Sequence, residues 1–435
     1  MVLDRILEAL PTASVNGLGV TAWSLYVNEA RRASLGVKDR EAGNTHAPFN
    51  LAESCGARYL FVWDDGRISR GYLERRQLED EPAQTLSYAQ AAAYDDPDAA
   101  QVLGPAEFPE LELHDSAAAA AAGGDTGSLA RRLAVVRERL RPPAFNTWSG
   151  SFSASEATTR LVTSAGLEIS GSGTAIGWHV TVNGEVGDGY SARRNEDDAE
   201  FEARLGRLLE LARRLQQPAD PLPGGILPVI LHPNVVQEYV LGTLLHHLEG
   251  STIAHGEGLF RREQFGSDEP VLREDLVLRL DPLQPYKRGS YLFSTEGLPA
   301  GRCSYIDRGR LIQPMLDLKY ARRLGLEPTP LPYSMDVLHF EGPTPLDLHA
   351  ALSAAKGGAL VLSVLGVHTQ DSSSGDFSLS APQVLRVGDV GLAGRLRATI
   401  SGNLFEILRS SDLQFVAFEG ETTPGLLFPC RLDLK

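Results

Sequence analysis

The stretch from Pro233 to Gly250 constrains the fold of this chain more than any other part of the sequence. Pro233 suits the first turn of a helix, because its missing N–H would have no intrahelical partner there, and Gly250 is a natural helix stop. Mostly apolar side chains form adjacent rows on the predicted helix: Val236, Val240, Leu244 and Leu248 in one row, and Tyr239, Thr243 and His246 in the next. Such a helix is predicted to be buried on most of its surface. The polar residues near its end, His246, His247 and Glu249, therefore require an explanation.

Composition and charge narrow the classes of partner. The 435 residues give room for two or three domains with a substantial core. The formal net charge of −15 disfavours nucleic acid and an anionic membrane as main partners, because both are negatively charged.

The cysteines Cys55, Cys303 and Cys430 lie far apart, which indicates a reducing compartment without a disulfide framework. The N-terminal segment has the pattern of an amphipathic helix and not of a signal peptide. No uncharged run is long enough to span a bilayer, so a cytoplasmic location is predicted.

The alternation of strand-like and helix-like patterns predicts an α+β protein. An N-terminal α/β scaffold domain is predicted over residues 1–76, and a central α+β domain over residues 77–217. A β-rich antiparallel domain with embedded helices is predicted over residues 224–435, after a proline-rich and glycine-rich linker from Pro218 to Pro228. Within the central domain, the alanine run from Ala117 to Ala122 precedes two glycines and lacks an apolar stripe, so we expect a mobile loop there.

The histidines of the predicted helix raise the question of a metal site. Zinc peptidases built on a helix use two histidines one turn apart, with a glutamate beside the first as general base. His246 and His247 are adjacent, so on a regular helix they point about 100° apart and cannot both face one ion. His246 with Glu249, joined by His255 from the following loop, remains a candidate ligand set. The alternative is that these histidines are structural residues at the end of a core helix.

Several separated motifs in the C-terminal half, taken in order, resemble the TldD/PmbA family, a bacterial and archaeal family of zinc-metallopeptidase type. The motifs are His246-His247-Leu248-Glu249-Gly250; Leu280-Asp281-Pro282 with Gly289-Ser290 and Ser294-Thr295-Glu296-Gly297-Leu298-Pro299; Gly375-Asp376-Phe377-Ser378; and Ala398-Thr399-Ile400-Ser401-Gly402-Asn403-Leu404. The resemblance covers about residues 225–435, and the N-terminal half only by its general layout.

The chain departs from the family at the metal motif. The catalytic member, TldD, carries H-E-x-x-x-H followed by G-L-E-G on this helix. The resemblance places Leu241 and Gly242 where the first histidine and the glutamate should be, and only His246 matches the second histidine. The cysteine ligand near the TldD C-terminus has no counterpart in the segment from Phe418 to Thr423, and Cys430 lies in a different context. One ligand of three and no general base cannot hold and activate a zinc-bound water.

The resemblance therefore implies the member without the metal motif, TldE (PmbA). It implies a non-metal-binding subunit of a TldD/TldE-type metallopeptidase complex that cleaves unfolded or extended peptides. No catalytic residue and no cofactor are assigned to this chain, since zinc is expected in a TldD-like partner that forms a heterodimer or higher assembly with it. The residues expected to carry family motifs or to line the peptide chamber are His246, Glu296, Gly297, Gly375, Asp376, Phe377, Gly402 and Asn403. Two alternatives stay open: a self-sufficient metallopeptidase with a rearranged site of His246, Glu249 and His255, and a non-catalytic peptide-binding protein.

Overall fold

Long antiparallel strands build the N-terminal part of the protein. The computed structural model describes residues 2–38, 41–42, 49–79, 81–140, 145–367, 370 and 373–434. In that part of the chain a first sheet contains β1 (Ser14–Val15), β2 (Leu18–Lys38), β3 (Glu41–Ala42), β4 (Asn50–Trp63), β5 (Ile68–Glu74), β6 (Trp148–Thr163), β7 (Glu168–Val182) and β8 (Val186–Ala192). The strand order is β5-β4-β2-β6-β7-β8, and the short strands β1 and β3 also pair with β2.

Strand β2 joins the two predicted N-terminal domains. Leu25 lies opposite Tyr59 of β4 on one side and opposite Val162 of β6 on the other. The predicted boundary between residues 76 and 77 therefore divides one continuous sheet. Strands that pair in a sheet can be far apart in the sequence. The change in composition that suggested a domain boundary lies in the long connection between β5 and β6, and the sheet continues across it.

The helices flank the sheets. They are α1 (Val2–Ala9), α2 (Arg75–Glu79), α3 (Pro82–Ala91), α4 (Ser116–Ala122), α5 (Gly127–Arg139), α6 (Asp198–Leu215), α7 (Pro233–Val235), α8 (Gly242–Leu248), α9 (Gly250–His255), α10 (Leu318–Leu324), α11 (Leu348–Ala354) and α12 (Leu404–Arg409). None of the helices in the described ranges is both long and apolar enough to cross a membrane.

The alanine run predicted as a mobile loop is helix α4. Asp115 caps its N-terminus by accepting the N–H of Ala118 at 2.8 Å. Ala118, Ala119, Ala121 and Ala122 are buried in the helix, whose main contacts are with β6. Small side chains allow this close approach to the sheet, and alanine has the highest helix propensity. The run therefore packs without the large apolar stripe that the sequence lacks.

The C-terminal part contains the mainly antiparallel sheets predicted for it, with two parallel strand pairs in its described residues, and the α+β fold class is confirmed. Its strands are β9 (Gly225–Leu231), β10 (Val277–Leu280), β11 (Cys303–Asp307), β12 (Arg310–Leu311), β13 (Leu338–Glu341), β14 (Leu346–Asp347), β15 (Ala359–Leu365), β16 (Asp376–Gly388), β17 (Gly391–Asn403), β18 (Gln414–Ala417) and β19 (Gly425–Leu434). Strand β9 begins inside the segment predicted as a linker. The larger sheet has the order β14-β18-β19-β17-β16-β15-β9, and a further pairing of β19 with β9 closes β9, β15, β16, β17 and β19 into a ring.

Alternation along β9 connects two hydrophobic cores. Val229 and Leu231 pack into the core that contains the Pro233–Gly250 segment. Ile230 packs into a second core, shared with α4, α5, α6 and the N-terminal sheet. Successive side chains of a strand point to opposite faces, so this one strand places the C-terminal domain against the N-terminal sheet.

Candidate functional site

The segment from Pro233 to Gly250 is helical and ends at Leu248, beside the predicted stop, but it is not a regular α-helix. It runs through α7, a π-helical stretch from Val236 to Leu241, and α8. Glu249 then adopts an extended conformation with ψ of 134°, and Gly250 begins α9. A Cβ atom on Gly250 would lie 2.6 Å from Tyr320 Cβ and 2.7 Å from Leu316 Cδ2. The helix therefore ends at Leu248, two residues before the predicted stop, and Gly250 serves close packing against another segment at the start of α9.

The N-terminus of the segment is capped by an imidazole. Nδ1 of His232 accepts the N–H of Asn234 at 3.3 Å, and its ring meets the ring of Phe418 edge-on, with centroids 5.0 Å apart. Burial lowers the pKa of His232 to about 4, because the charged imidazolium would lose its hydration there. The neutral ring is therefore the form that caps the helix at neutral pH.

The two adjacent histidines have different surroundings, because their side chains point in different directions from the helix, as predicted. His247 is fully buried, with its ring centroid 4.8 Å from that of Phe405 and 5.7 Å from that of Phe260. Its Nδ1 accepts the N–H of Leu259 at 3.0 Å. His246 is partly exposed, and its Nδ1 lies 3.7 Å from Oε2 of Glu249. His247 is thus part of an aromatic core, while His246 forms a long contact at the surface.

The candidate ligand set of His246, Glu249 and His255 is not gathered into a metal centre. His255 is exposed at the end of α9, with its ring 6.2 Å from that of Tyr320. Among the described residues, no group of three or more His, Cys, Asp or Glu side chains is arranged to hold a metal ion. Leu241 is fully buried, and Gly242 has no side chain. The residues at these positions therefore do not fit a zinc ion, which needs three or four nitrogen, sulfur or oxygen ligands.

Two of the family motifs meet on paired strands. Asp376 lies opposite Asn403, and Phe377 opposite Gly402, in the antiparallel pair β16–β17. Asn403 Nδ2 donates to Asp376 Oδ1 at 2.8 Å, and Asn403 Oδ1 accepts the N–H of Glu406 at 3.0 Å. Asn403 is thus the N-cap of α12, held in place by Asp376.

Close packing explains the glycines of these motifs. Gly375 has φ of 75°, and a Cβ atom there would lie 2.4 Å from Phe405 Cδ2. A Cβ atom on Gly402 would lie 3.2 Å from Phe377 Cζ. Phe377 is 5% exposed, and its ring centroid lies 5.3 Å from that of Tyr239 in the π-helical stretch. The motif therefore forms a packed junction with the helical segment Pro233–Gly250, which is called the organising helix below.

Glu296 and Gly297 lie at a different place, where the C-terminal part meets the N-terminal sheet. Glu296 Oε1 accepts from Arg70 Nη2 of β5 at 2.8 Å, and its Oε2 accepts the N–H of Leu318, the first residue of α10, at 3.0 Å. Gly297 has φ of 93°, and a Cβ atom there would lie 2.7 Å from Leu167 Cδ2. This turn joins the N-terminal sheet to α10 and is separate from the Asp376–Asn403 junction.

A cleft of about 820 Å³ lies between β8, α6 and the C-terminal part. Strand β8 supplies Gly187 to Ala192, and Asn234 and Gln237 come from the organising helix. The segment from Glu419 to Thr422 lies within the stretch where the family resemblance predicts a cysteine ligand, and it lines the same cleft. Gln237 Nε2 donates to Thr423 Oγ1 at 2.8 Å, which fixes this segment beside the helix. The cleft therefore lies beside the first turns of this helix and the Glu419–Thr422 segment, while Leu241, Gly242 and His246 are not part of its lining.

Arginines of α6 hold the C-terminal segment at the cleft wall. Arg204 Nη1 lies 3.1 Å from Glu421 Oε1 and 3.5 Å from Asp188 Oδ1, and Arg204 Nη2 donates to the carbonyl of Gly420 at 3.1 Å. Burial raises the pKa of both Asp188 and Glu421, and the guanidinium of Arg204 acts in the opposite direction. Arg204 thus bridges β8 and the Glu419–Thr422 segment.

None of the eight residues predicted to line a chamber lines this cleft. Its lining comes from residues far apart in the chain, such as Arg204 and Glu421, and no local pattern links them. The polar face of α6 offered a weak signal, because Arg204 and Arg207 are spaced one turn apart. The arrangement can bind and orient a polar or extended ligand, and among the described residues it includes no metal group to activate water.

Comparisons with known proteins give a consistent result. Residues 224–428 match the family described as the PmbA/TldA metallopeptidase C-terminal domain. A metalloprotease of Methanothermobacter thermautotrophicus is 25% identical over 252 residues, which cover 56% of this chain and 53% of the relative. The match thus spans about half the length of that curated relative.

Three crystal structures have the same fold over nearly the whole chain. TldE from Thermococcus kodakarensis matches with a TM-score of 0.75 at 16% identity, covering 95% of this chain and 96% of that one. A protein of Bacteroides thetaiotaomicron, named as a proposed modulator of DNA gyrase, has a TM-score of 0.76 at 19% identity, with 100% and 97% covered. A Thermotoga maritima protein of the same description has a TM-score of 0.74 at 18% identity, with 100% and 99% covered. At these identities the likeness establishes the fold.

Proposed function

The chain belongs, through residues 224–428, to the TldD/PmbA family of metallopeptidase-like proteins, and from this premise we propose that it is a TldE-like, non-catalytic subunit. It pairs with a TldD-like chain whose zinc cleaves unfolded or extended peptides. This chain forms a wall of the peptide chamber and holds the substrate.

One observation carries the proposal: the helix of the metal motif is present, but its ligand positions are not functional. Leu241 is fully buried in the core where the family resemblance places the first histidine. Gly242 replaces the general base, and the Glu419–Thr422 segment holds no cysteine. The fold around these positions is intact, since Gln237 and Thr423 still bring the two segments together. A subunit that pairs with a catalytic chain needs the fold of the family but does not need the zinc ligands.

The cleft supports a role in holding peptide. Strand β8 lies at the end of the strand order and pairs with β7. Gly187 to Ala192 of β8 line the cleft. An extended peptide can add to such a sheet edge through main-chain hydrogen bonds, largely independently of sequence.

The test is reconstitution with a TldD-like chain from the same source. The two chains are co-expressed, the mass of the complex is measured by light scattering, and cleavage of an unfolded model protein is assayed. We expect a complex containing both chains that is active. His246→Ala in this chain should leave the cleavage rate unchanged, whereas replacing the first motif histidine of the TldD-like chain should abolish it.

Two results would contradict the proposal. Zinc-dependent cleavage by this chain alone, lost in His246→Ala, would favour a self-sufficient peptidase with a rearranged site. Binding of peptide without any association with the TldD-like chain would instead favour a separate peptide-binding protein.

A further inference from the structure

A strained loop faces the cleft from the C-terminal side. Tyr286 has φ of 56°, a left-handed conformation that is costly for a bulky residue. Its backbone is fixed on both sides, because its N–H donates to the carbonyl of Glu112 and its carbonyl accepts the N–H of Arg193, both at 2.9 Å. The neighbouring residues Lys287 and Arg288 line the cleft. The N-terminal part of the protein thus holds this loop in an unfavourable conformation beside the cleft.

Most charged side chains of the cleft are already paired with one another. The ion pairs are Asp188 and Glu421 with Arg204, Glu419 with Arg207, Asp336 with Arg288, and Glu196 with Arg132, which lies just outside the cleft. The remaining carboxylate, Glu200, is in the first turn of α6, where the helix dipole favours a negative charge. Internal pairing therefore accounts for five of the six acidic side chains of the cleft, and the helix dipole favours the sixth.

Two cations remain after this pairing. In the described part of the chain, neither Arg194 nor Lys287 has a carboxylate oxygen within 4.0 Å. The guanidinium carbon of Arg194 lies 4.9 Å from the centroid of the Tyr286 ring. Stacking on an aromatic face restricts a guanidinium while its N–H edges stay able to donate. Arg194 and Lys287 come from opposite sides of the junction between the N-terminal and C-terminal parts, and both line the same cleft.

We propose that Arg194 and Lys287 form a carboxylate-binding subsite in the cleft, which holds a peptide by an anionic group. Arginine suits this role because its planar fork can donate two parallel hydrogen bonds to one carboxylate. The carboxylate is either the C-terminal group of the peptide or an Asp or Glu side chain. The net charge of −15 repels anions at long range, so recognition depends on these local contacts. The subsite rests on the proposed function and names the substrate chemistry for it.

The experiment measures binding of short fluorescein-labelled peptides to this chain alone by fluorescence anisotropy. The parent peptide consists of Gly, Ser, Thr and Gln, contains one internal Glu, and ends in a free carboxylate. One derivative has Glu replaced by Gln, a second has an amidated C-terminus, and a third has both changes. We expect the doubly neutral peptide to bind about tenfold or more weakly than the parent, as the loss of a charge-assisted hydrogen bond implies. The two single derivatives identify which carboxylate is bound.

The variant pair Arg194→Gln with Lys287→Gln should reduce binding of the parent peptide to the level of the doubly neutral peptide. Its control is Arg323→Gln with Lys356→Gln, which makes the same change in net charge at residues that do not line the cleft. The melting temperature of each variant shows that the fold is retained. Equal binding of all four peptides, no peptide binding at all, or an equal loss in the control variant would overturn the subsite. Because the TldD-like chain is absent from this assay, failure to form a complex and failure of the subsite are separate results.

Discussion

The side-chain amide of Asn403 donates to the carboxylate of Asp376 at 2.8 Å, while the oxygen of the same amide accepts the N–H of Glu406 at the start of α12. One polar side chain therefore couples a strand end to a helix start. This relationship gives Asp376 a structural task, and a role beside the peptide or the partner stays a prediction.

The coupling can be measured by a double-mutant cycle. Asp376→Ala leaves the cap in place and removes one hydrogen bond, so we expect a loss of about 1 kcal/mol. Asn403→Ala removes both the cap and the link, at a cost of about 1–2 kcal/mol. Denaturant unfolding of both single variants and the double variant should give a coupling energy of about 1 kcal/mol. Additive losses would show that the two side chains act independently. Cleavage per folded complex for Asp376→Ala then tests the chamber-lining prediction separately.

Truncation of Phe377 should act through stability. Its ring is almost fully buried and packs on Tyr239 and beside Gly402. Phe377→Ala is expected to lower the free energy of unfolding by about 3–5 kcal/mol, through lost burial and a cavity. Phe49→Ala is the control, because Phe49 is 44% exposed. An equal loss in both variants would contradict the packing of Phe377.

Two glycines of the organising segment should respond oppositely to alanine. A Cβ atom on Gly242 meets nothing within 4 Å, whereas one on Gly250 overlaps Tyr320 and Leu316. Gly242→Ala should stabilise the protein by about 0.5–1 kcal/mol, because alanine favours a helix interior. Gly250→Ala should destabilise it by about 1–3 kcal/mol through overpacking. Thermal unfolding of the pair checks the sign of each effect.

Restoring the metal motif should not restore a metal site. Leu241→His places a polar ring in a fully buried position, at an expected cost of about 2–4 kcal/mol. Gly242→Glu has space around it and should fold. The double variant still lacks the cysteine, so elemental analysis should find no stoichiometric zinc and assays should find no peptidase activity. Tight zinc binding by the double variant would show that the ligand positions have been misassigned.

His232 should make stability sensitive to mild acid. Its pKa is about 4 in the folded protein and about 6.5 in an unfolded chain. As the pH falls from 7 to 5 the unfolded state takes up the proton first, so the folded state loses about 2 kcal/mol of relative stability. Below pH 4 both states are protonated and this loss levels off.

His232→Asn should flatten this part of the pH profile, because asparagine also caps a helix and does not titrate. The free energy of unfolding is measured at pH 7 and pH 5 for both proteins. His349→Asn, at an exposed position of α11, serves as the control and should keep the wild-type slope. An unchanged slope in His232→Asn would rule out the imidazole of His232 as the cause.

The sequence was most informative where local pattern determines structure. Alternation and turn residues predicted the antiparallel C-terminal domain, and the apolar rows predicted a buried helix after Pro233. The sequence could not predict that residue 250 has to be a glycine for packing, because the contact is with Tyr320, seventy residues later in the chain. The alanine helix α4 was missed for a related reason: its burial depends on packing against β6, which lies later in the chain.

The candidate site was harder to predict than the fold. The motifs that contain Asp376 and Asn403 lie together, because these two residues are opposite each other in the β16–β17 pair. Glu296 lies elsewhere in the fold. The cleft depends on pairs such as Arg204 with Glu421 and on the left-handed backbone of Tyr286. These features arise from tertiary contacts and leave no periodicity in the sequence.

The pairing of β2 with β6 also determines when this protein can fold. Leu25 meets Val162 across the sheet, so β2 has an unpaired edge until the chain has been synthesised well beyond residue 163. Exposed strand edges are templates for association with other chains, and contacts between distant residues form slowly. A nascent or truncated chain that ends near residue 76 would present this long edge to its neighbours. We therefore expect the first strands to be prone to association with other chains until β6 emerges from the ribosome.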